Sequence, residues 1–406
     1  MNALTIVYLF YILTSLYFSL VTLMVFFKNR SKYFDDTPED YTPSLTVLIP
    51  AYNEEDTIAD TLNSVLASDY PKDKFEVIVV NDGSTDRTEE IAKTFEDRGV
   101  KVFTKPNSGK PDSINQATKI AKGELIGIID SDSHPESIAF RKMSRHFKDE
   151  RVGAVTGTAL VKNKNNLMEK MQAMEYALIA WTRRILDFLD SVFVTPGSLS
   201  MYRKSALNEV GGFDKNVMTE DIEIAWNLLR YKYKIRMESI AHSFTLAPSK
   251  LKVWWRQRIR WSVGGFQTFW KHRKYMFKTN YAMFGVFVIP FFLTHIILSF
   301  AGFSVFLGVI LHRLFNWVIL ASYSVKAGEG LARMPEINLL PNVLTVFGIL
   351  LVLIFLVGII ISLRTLKKAE VKIRFSFIIY ALFYLTTFPV ILIVSFFKWI
   401  KGYSEW

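Results

Sequence analysis

Hydrophobic and polar positions follow two regimes along this chain: long runs without charge at both ends, and mixed runs in the middle. From Met1 to Phe27 there is no charged residue. A helix of that length, at about 1.5 Å per residue, exceeds the ~30 Å hydrocarbon core of a bilayer and predicts a transmembrane span. A cleaved signal peptide is disfavoured, because Lys28, Arg30 and Lys32 follow the apolar run rather than precede it. Three further uncharged runs, Tyr281 to Leu311, Leu339 to Leu363 and Phe375 to Phe397, predict three more spans. Pro290 and Pro389 fall within two of them, which membrane helices tolerate when neighbours satisfy the freed carbonyls. Leu314 to Val325 is apolar but too short to cross, so it is expected to be interfacial or re-entrant.

In the middle, Ser44 to Pro50 and Phe75 to Asp82 are β-branched apolar runs ending in turn residues, as parallel strands buried on both faces read. Glu54 to Ala67 between them carries helical spacing at Ile58, Leu62, Val65 and Leu66. The alternation repeats through Thr85 to Phe95 and reaches a third strand, Glu124 to Asp132. This predicts an α/β sheet with right-handed crossovers, set between transmembrane helices. The expected divisions are residues 1–30 (anchor), 42–248 (soluble domain), 249–280 (amphipathic interface helices) and 281–406 (membrane region).

Charge sharpens the picture. The chain has 49 Lys and Arg against 38 Asp and Glu, a net charge of +11, which suits an anionic membrane surface or nucleic acid. The uncharged runs favour the bilayer, and no nucleic-acid partner is expected. Short-loop cations gather at Lys28 to Lys32, His272 to Lys278, and Arg364, Lys367, Lys368, Lys372 and Arg374, which places those loops and the soluble domain in the cytoplasm and both termini outside. The chain has no cysteine, which excludes thiolate nucleophiles and disulfide staples.

Ligands of open α/β sheets bind beyond the carboxyl ends of the strands, and here those ends are polar: Ala51-Tyr52-Asn53-Glu54, Asn81-Asp82-Gly83-Ser84 and Asp130-Ser131-Asp132. No G-x-G-x-x-G turn and no Walker lysine loop occurs, so dinucleotide and P-loop chemistry drop out. Asp130 and Asp132, two apart at a strand end, are expected to point to one face and to suit Mg²⁺ or Mn²⁺. An isolated D-x-D is more often a solvated loop; its place at the mouth of a buried strand favours function. Lys110 can neutralise a diphosphate as a point charge, although most lysines are simply solvated. Thr219-Glu220-Asp221 opens a helical pattern, either as an N-cap with dipole-complementing acids or as a general base held at a helix start. Gln257, Arg260 and Trp261 of QRIRW share one helix face. That stretch, Lys250 to Lys278, has nine Lys and Arg, no acid and four Trp, so it also reads as a membrane-surface helix.

Taken in order, TVLIPAYNEE, VVNDGS, GK, DSD, TED and QRIRW resemble the membrane-embedded processive family-2 glycosyltransferases, the cellulose, chitin, hyaluronan and poly-N-acetylglucosamine synthases. The resemblance covers about residues 44 to 262 and the flanking spans. It implies a GT-A-type nucleotide-sugar-binding domain that takes a UDP-sugar and inverts the anomeric centre, extending a growing polysaccharide. By matching position, Tyr52, Glu54 and Asp82 would hold uridine, Lys110 and Asp130 the diphosphate, and Asp132 with Asp130 the metal. Asp221, beside Glu220, would be the base; Arg260 would clamp the diphosphate, Gln257 the nucleotide side, and Trp261 would line the acceptor site. Gly197 and Ser198, in Thr195 to Ser200, look like the family's acceptor-side segment, and TED followed by Ile-Glu-Ile-Ala-Trp resembles the poly-N-acetylglucosamine and cellulose branches. A β-1,4 or β-1,6 N-acetylglucosamine polymer is the leading expectation. The pattern departs from cellulose synthases in having fewer spans and no domain after the last helix, so a tunnel built from four spans would be narrow. His134 resembles a histidine near the metal in cellulose synthases, but a lone His in a turn is more often a surface residue. Single transfer to a lipid such as a polyprenyl phosphate, and an inactive carbohydrate-binding scaffold, are the competing readings. An accessory subunit or homo-oligomer is left open as a partner.

Overall fold

The computed structural model describes residues 3–34, 41–330, 343–366 and 376–403. Helix α1 (Ala3–Asn29) leads into the soluble part, which begins β1 (Leu45–Ala51), α2 (Ile58–Leu66), β2 (Phe75–Asn81), α3 (Thr88–Lys93), β3 (Val100–Thr104), α4 (Lys110–Ile120) and β4 (Leu125–Ile128). It continues through β5 (Ser133–Pro135), α5 (Ala139–Ser144), β6 (Val152–Val161), α6 (Leu167–Asp187), β7 (Ser200–Arg203), α7 (Lys204–Val210), α8 (Glu220–Arg230), β8 (Lys234–Thr245) and α9 (Leu251–His272). Three apolar helices follow: α10 (Ile289–Lys326), α11 (Val343–Thr365) and α12 (Ser376–Ile400).

Among the described residues, eight strands form one mixed sheet, in the order β3-β2-β1-β4-β7-β6-β8-β5. The first four are mutually parallel, β7 runs antiparallel to β4 and to β6, and β5 runs antiparallel to β8. Strict alternation explains why β1 reads as an unbroken apolar run. Leu45, Val47, Ile49 and Ala51 pack with α2 and α5 on one face, while Leu48 joins Ile78 and Val80 of β2 against α4, α6 and α8 on the other. That second face is continuous with the membrane side: Phe26 of α1 meets Trp181 of α6 at 5.4 Å between ring centroids. Ile359 and Leu363 of α11 belong to the same core.

Among the described residues, four helices are long and apolar enough to cross a membrane, covering Ile6–Lys32, Phe284–Lys326, Val346–Thr365 and Ile379–Ile400. They coincide with the four predicted runs. One expectation is corrected: Leu314 to Val325 is not a separate interfacial segment but the second half of the continuous 38-residue helix α10. Nothing between Leu311 and Lys326 breaks helical propensity, and at about 1.5 Å per residue this helix is nearly twice as long as the hydrocarbon core is thick. Pro290 sits where a π-helical turn, Phe284–Val288, runs into the first turn of α10, while Pro389 lies inside α12. Parts of the predicted spans (Met1 and Asn2, Leu339 to Pro341 and Asn342, Phe375) and the loop cations Lys367, Lys368, Lys372 and Arg374 lie outside the described residues.

Candidate active site

Register brings the carboxyl ends of β1 and β2 to one level, and β4 stops short of them, beside Leu48. Ala51 pairs with Asn81, Leu48 pairs with Ile128, and the Asp82 N–H donates to the Ala51 carbonyl at 2.9 Å. Beyond β1, Tyr52 is exposed and Asn53 adopts φ +55°, a left-handed conformation in which its side chain accepts from the Thr85 N–H at 2.8 Å. The Glu54 carboxylate accepts from the Thr57 hydroxyl at 2.7 Å, and its N–H donates to the Thr88 hydroxyl at 2.7 Å.

Asp82, buried at the end of β2, is held from the opposite loop: it accepts from the Ser108 N–H at 3.0 Å, from the Gly109 N–H at 2.9 Å and from the ammonium of Lys105. Gly83 permits this closure. At φ +71° a Cβ there would lie 2.8 Å from the Asn107 nitrogen. Lys105 is itself buried (7% exposed) and was invisible in the sequence, where nothing distinguishes it from the other 48 basic residues.

The geometry expected for Asp130 and Asp132 is corrected. Strand β4 ends at Ile128, because the Asp130 N–H leaves the ladder to donate to the Gly197 carbonyl at 2.9 Å, and the Ser133 N–H turns back onto the Asp130 carbonyl at 3.0 Å. A tight turn, not strand alternation, therefore sets the two carboxylates. The Lys110 ammonium, at the first residue of α4, donates to Asp130 at 2.5 Å and lies 3.0 Å from a carboxylate oxygen of Glu220 at the start of α8. Burial works against the Lys110 charge, but Asp130 and Glu220 outweigh it and raise its pKa. Gly197 fills the gap above this pair: a Cβ there would lie 2.5 Å from an Asp130 oxygen and 2.6 Å from the Lys110 nitrogen. Ser198 is buried next to it.

Asp132 accepts from the Thr245 hydroxyl at 3.2 Å and the Ser133 hydroxyl at 3.1 Å. Burial, reinforced by the negative charges of Asp130 and Glu54, pushes its pKa up to about 6. A carboxyl crowded by two others is a place where a divalent cation would be welcome. No group of three or more potential ligands is preassembled among the described residues. Two carboxylates, with water and a diphosphate completing an octahedron, fit Mg²⁺ or Mn²⁺.

Asp221 follows Glu220 in α8. Its backbone carbonyl accepts from both the N–H (3.3 Å) and the hydroxyl (3.0 Å) of Thr195, so residues 195–198 tie the start of α8 to Asp130. Burial, then Glu220, pushes the Asp221 carboxyl up to about 6, while Lys110 and Arg260 pull the other way. Thr219 precedes the helix as expected, but its side chain forms no cap hydrogen bond. The hydroxyl is buried without a partner and faces Gly264 of α9, where a Cβ would sit 2.1 Å away. Tertiary packing has taken over the position that local propensity assigned to a cap.

On α9, Gln257, Arg260 and Trp261 are all half-buried, as one shared face requires. The charge of Arg260 reaches Asp221, whereas Gln257 and Trp261 make contact with Arg258. Besides Lys105, two further cations escaped sequence reasoning. Arg183 of α6 feels the Asp221 charge, and burial pushes its pKa down to about 10 against that attraction. Arg258 is 2% exposed and pairs with Glu175 of α6. His134 is not the surface residue expected: it lies in β5, half-buried, its Nδ1 3.0 Å from the Phe244 carbonyl and its Nε2 3.2 Å from the Lys162 ammonium.

Residues 46–211 match the family described as Glycosyl transferase family 2. The poly-beta-1,6-N-acetyl-D-glucosamine synthase of Staphylococcus aureus is 34% identical over 268 residues, 64% of this chain and 65% of that protein. The synthase of the same name from Staphylococcus epidermidis is 35% identical over 227 residues, 55% of each chain. The chain thus matches somewhat less than two thirds of these relatives' length, 65% in the longer match. In structure, the mannosyltransferase PcManGT from Pyrobaculum calidifontis, solved in complex with GDP-Man and Mn²⁺, superposes with a TM-score of 0.62 at 19% identity, over 97% of this chain and 99% of that one. Residues 46–211 thus match a glycosyl transferase family 2 domain, set on a mixed sheet whose fold is that of the mannosyltransferase and flanked, among the described residues, by four apolar helices. More particularly, the chain is similar to the staphylococcal proteins named poly-beta-1,6-N-acetyl-D-glucosamine synthase.

Proposed function

We propose that this chain is an inverting, divalent-metal-dependent membrane transferase that moves N-acetylglucosamine from UDP-N-acetylglucosamine to the growing end of a β-linked polysaccharide and passes the product across the bilayer. The observation that carries the reading is the Lys110 ammonium bridging Asp130 at 2.5 Å and Glu220 at 3.0 Å, which joins the strand-end carboxylates to the helix that bears Asp221. The names of the staphylococcal relatives support the sugar and the polymer.

In this reading Tyr52, Glu54 and Asp82 receive uridine, Lys110 and Arg260 flank the diphosphate, and Gln257 contacts the nucleotide side. Asp130 and Asp132 would hold Mg²⁺ or Mn²⁺, which when bound supplies positive charge beside the leaving diphosphate. Asp221 takes the proton of the acceptor hydroxyl, whose oxygen attacks the anomeric carbon from the face opposite the diphosphate. The new C–O bond forms as the bond from the anomeric carbon to the phosphate oxygen breaks, UDP departs with the electron pair, and the configuration inverts. Lys110 and Arg260 stabilise the charge that develops on the leaving group, typically a large catalytic contribution. Trp261, Gly197 and Ser198 form the acceptor side. The short-loop cations of the sequence support a catalytic domain in the cytoplasm with both termini outside.

The test is purified full-length protein in lipid nanodiscs with radiolabelled UDP-N-acetylglucosamine, UDP-glucose, UDP-glucuronate and GDP-mannose, each with Mn²⁺. A labelled product that resists organic extraction, formed from UDP-N-acetylglucosamine first, is expected. A product wholly extractable into organic solvent would replace the polymer with a single-sugar lipid, and absence of transfer from every donor would overturn the reading.

A further inference from the structure

Two of the QRIRW side chains are held by a third that belongs to no catalytic assignment. The guanidinium of Arg258 donates from Nη1 to the side-chain Oε1 of Gln257 at 2.8 Å and lies 4.1 Å from the centroid of the Trp261 ring. Its Nη2 pairs with the carboxylate of Glu175 on α6. The same carboxylate oxygen accepts a hydrogen bond, at 2.6 Å, from the hydroxyl of Tyr384 on the membrane helix α12. Below the pair, Trp254 closes the cluster, 5.6 Å from the guanidinium and 5.7 Å from the Tyr384 ring. Arg258 and Glu175 are 2% and 8% exposed.

A buried ion pair is a poor source of net stability, since desolvation offsets most of its attraction. What such a pair gives is geometry: a planar fork, fixed on one side by a carboxylate, presents a stacking face and a hydrogen-bond donor in set directions. Here those directions meet Trp261 and Gln257. A simple tie between α6, α9 and α12 would need neither contact.

We propose that Glu175 and Tyr384 are positioning residues for the acceptor side: acting through Arg258, they fix the plane of Trp261, so that a membrane helix sets the stacking surface offered to the growing chain. The inference rests on the proposed role of Trp261 in acceptor binding. It implies that loosening the network weakens acceptor capture and shortens the product, while uridine and diphosphate contacts are untouched.

The experiment uses the full chain in nanodiscs carrying Tyr384→Phe, which removes one hydroxyl and keeps the ring. Protein labelled with 5-fluorotryptophan reports Trp261 directly, its ¹⁹F resonance identified by its loss in Trp261→Phe. In Tyr384→Phe that resonance is expected to move, the acceptor-oligosaccharide KM to rise about tenfold, as for one hydrogen bond to a charged group, and the Kd for UDP to stay within about twofold. In a Trp261→Phe background Tyr384→Phe is expected to add nothing to the acceptor KM. An unmoved resonance, or effects that multiply in the double variant, would overturn the proposal. Glu175→Gln is the stronger perturbation, and because it leaves Arg258 buried and unpaired, Tyr384→Phe decides if it does not fold. Should the parent protein transfer no sugar to oligosaccharides, the proposed function fails, and the Trp261 resonance alone then decides the positioning.

Discussion

The Lys110 ammonium stands 3.0 Å from the Glu220 carboxylate, although the two residues are 110 positions apart in the chain. With Asp130 on its other side, Lys110 joins the donor-side turn after β4 to the first turn of α8. Lys110→Met is expected to leave two carboxylates crowded without a counter-charge and to lower kcat for UDP release by about a hundredfold or more, as loss of one charge-stabilising group commonly does. Lys110→Arg is not expected to restore the rate, because the bulkier planar guanidinium must fit under Gly197, where even a Cβ would lie 2.6 Å from the Lys110 nitrogen. Steady-state UDP release on the purified variants checks both.

The pH dependence follows from Asp221, which burial and Glu220 push up to about 6. Below that value the carboxyl keeps its proton and cannot act as a base; above it the carboxylate is competent. The kcat/KM profile is therefore expected to rise about tenfold per pH unit below 6 and to level off above it. A profile flat from pH 5 to 8 would remove Asp221 from the base role.

Asp132 leads to a thermodynamic expectation. Burial, with Asp130 and Glu54, holds its proton to about pH 6, so a cation bound there must displace that proton. Mn²⁺ affinity is expected to rise with pH up to about 6, with proton release visible as a dependence of the calorimetric heat on buffer ionisation enthalpy. Asp132→Asn should abolish the release.

The contact between Gly264 and Thr219 explains the small residue in the middle of α9. A Cβ at position 264 would lie 2.1 Å from the Thr219 hydroxyl oxygen, so Gly264→Ala is expected to push α9 away from the start of α8 and to destabilise the fold by about 1–3 kcal/mol. Melting curves check this, and Thr219→Ala in the same chain should recover part of the loss.

Much of the scaffold was legible because burial on both faces writes itself into composition. Strands β1 and β2, whose inner residues are buried, were located to within a residue, and α1, α11 and α12 to within a few, whereas α10 runs on to Lys326, well past the expected end at Leu311. The site was legible as a set of polar strand ends. Its geometry was not, because long-range contacts decide it. Strand β4 stops two residues before Asp130 since Gly197 takes the Asp130 N–H from across 67 positions. The edge strand β3, with Lys101 exposed and only Val100 fully buried, lacks the pattern that betrays a central strand. Arg258 was quoted within a motif but not singled out, because its partner Glu175 lies 83 positions away and no spacing announces the pair.

The central claim is that the carboxylate of Asp221 deprotonates the acceptor while other residues hold the donor. It is tested most directly by Asp221→Asn in the full-length protein, with sugar transfer and UDP affinity measured on the same preparation. Transfer is expected to fall by about 10²- to 10⁴-fold, the usual worth of a general base, with the Kd for UDP unchanged. Turnover retained within a few fold of the parent would contradict the account.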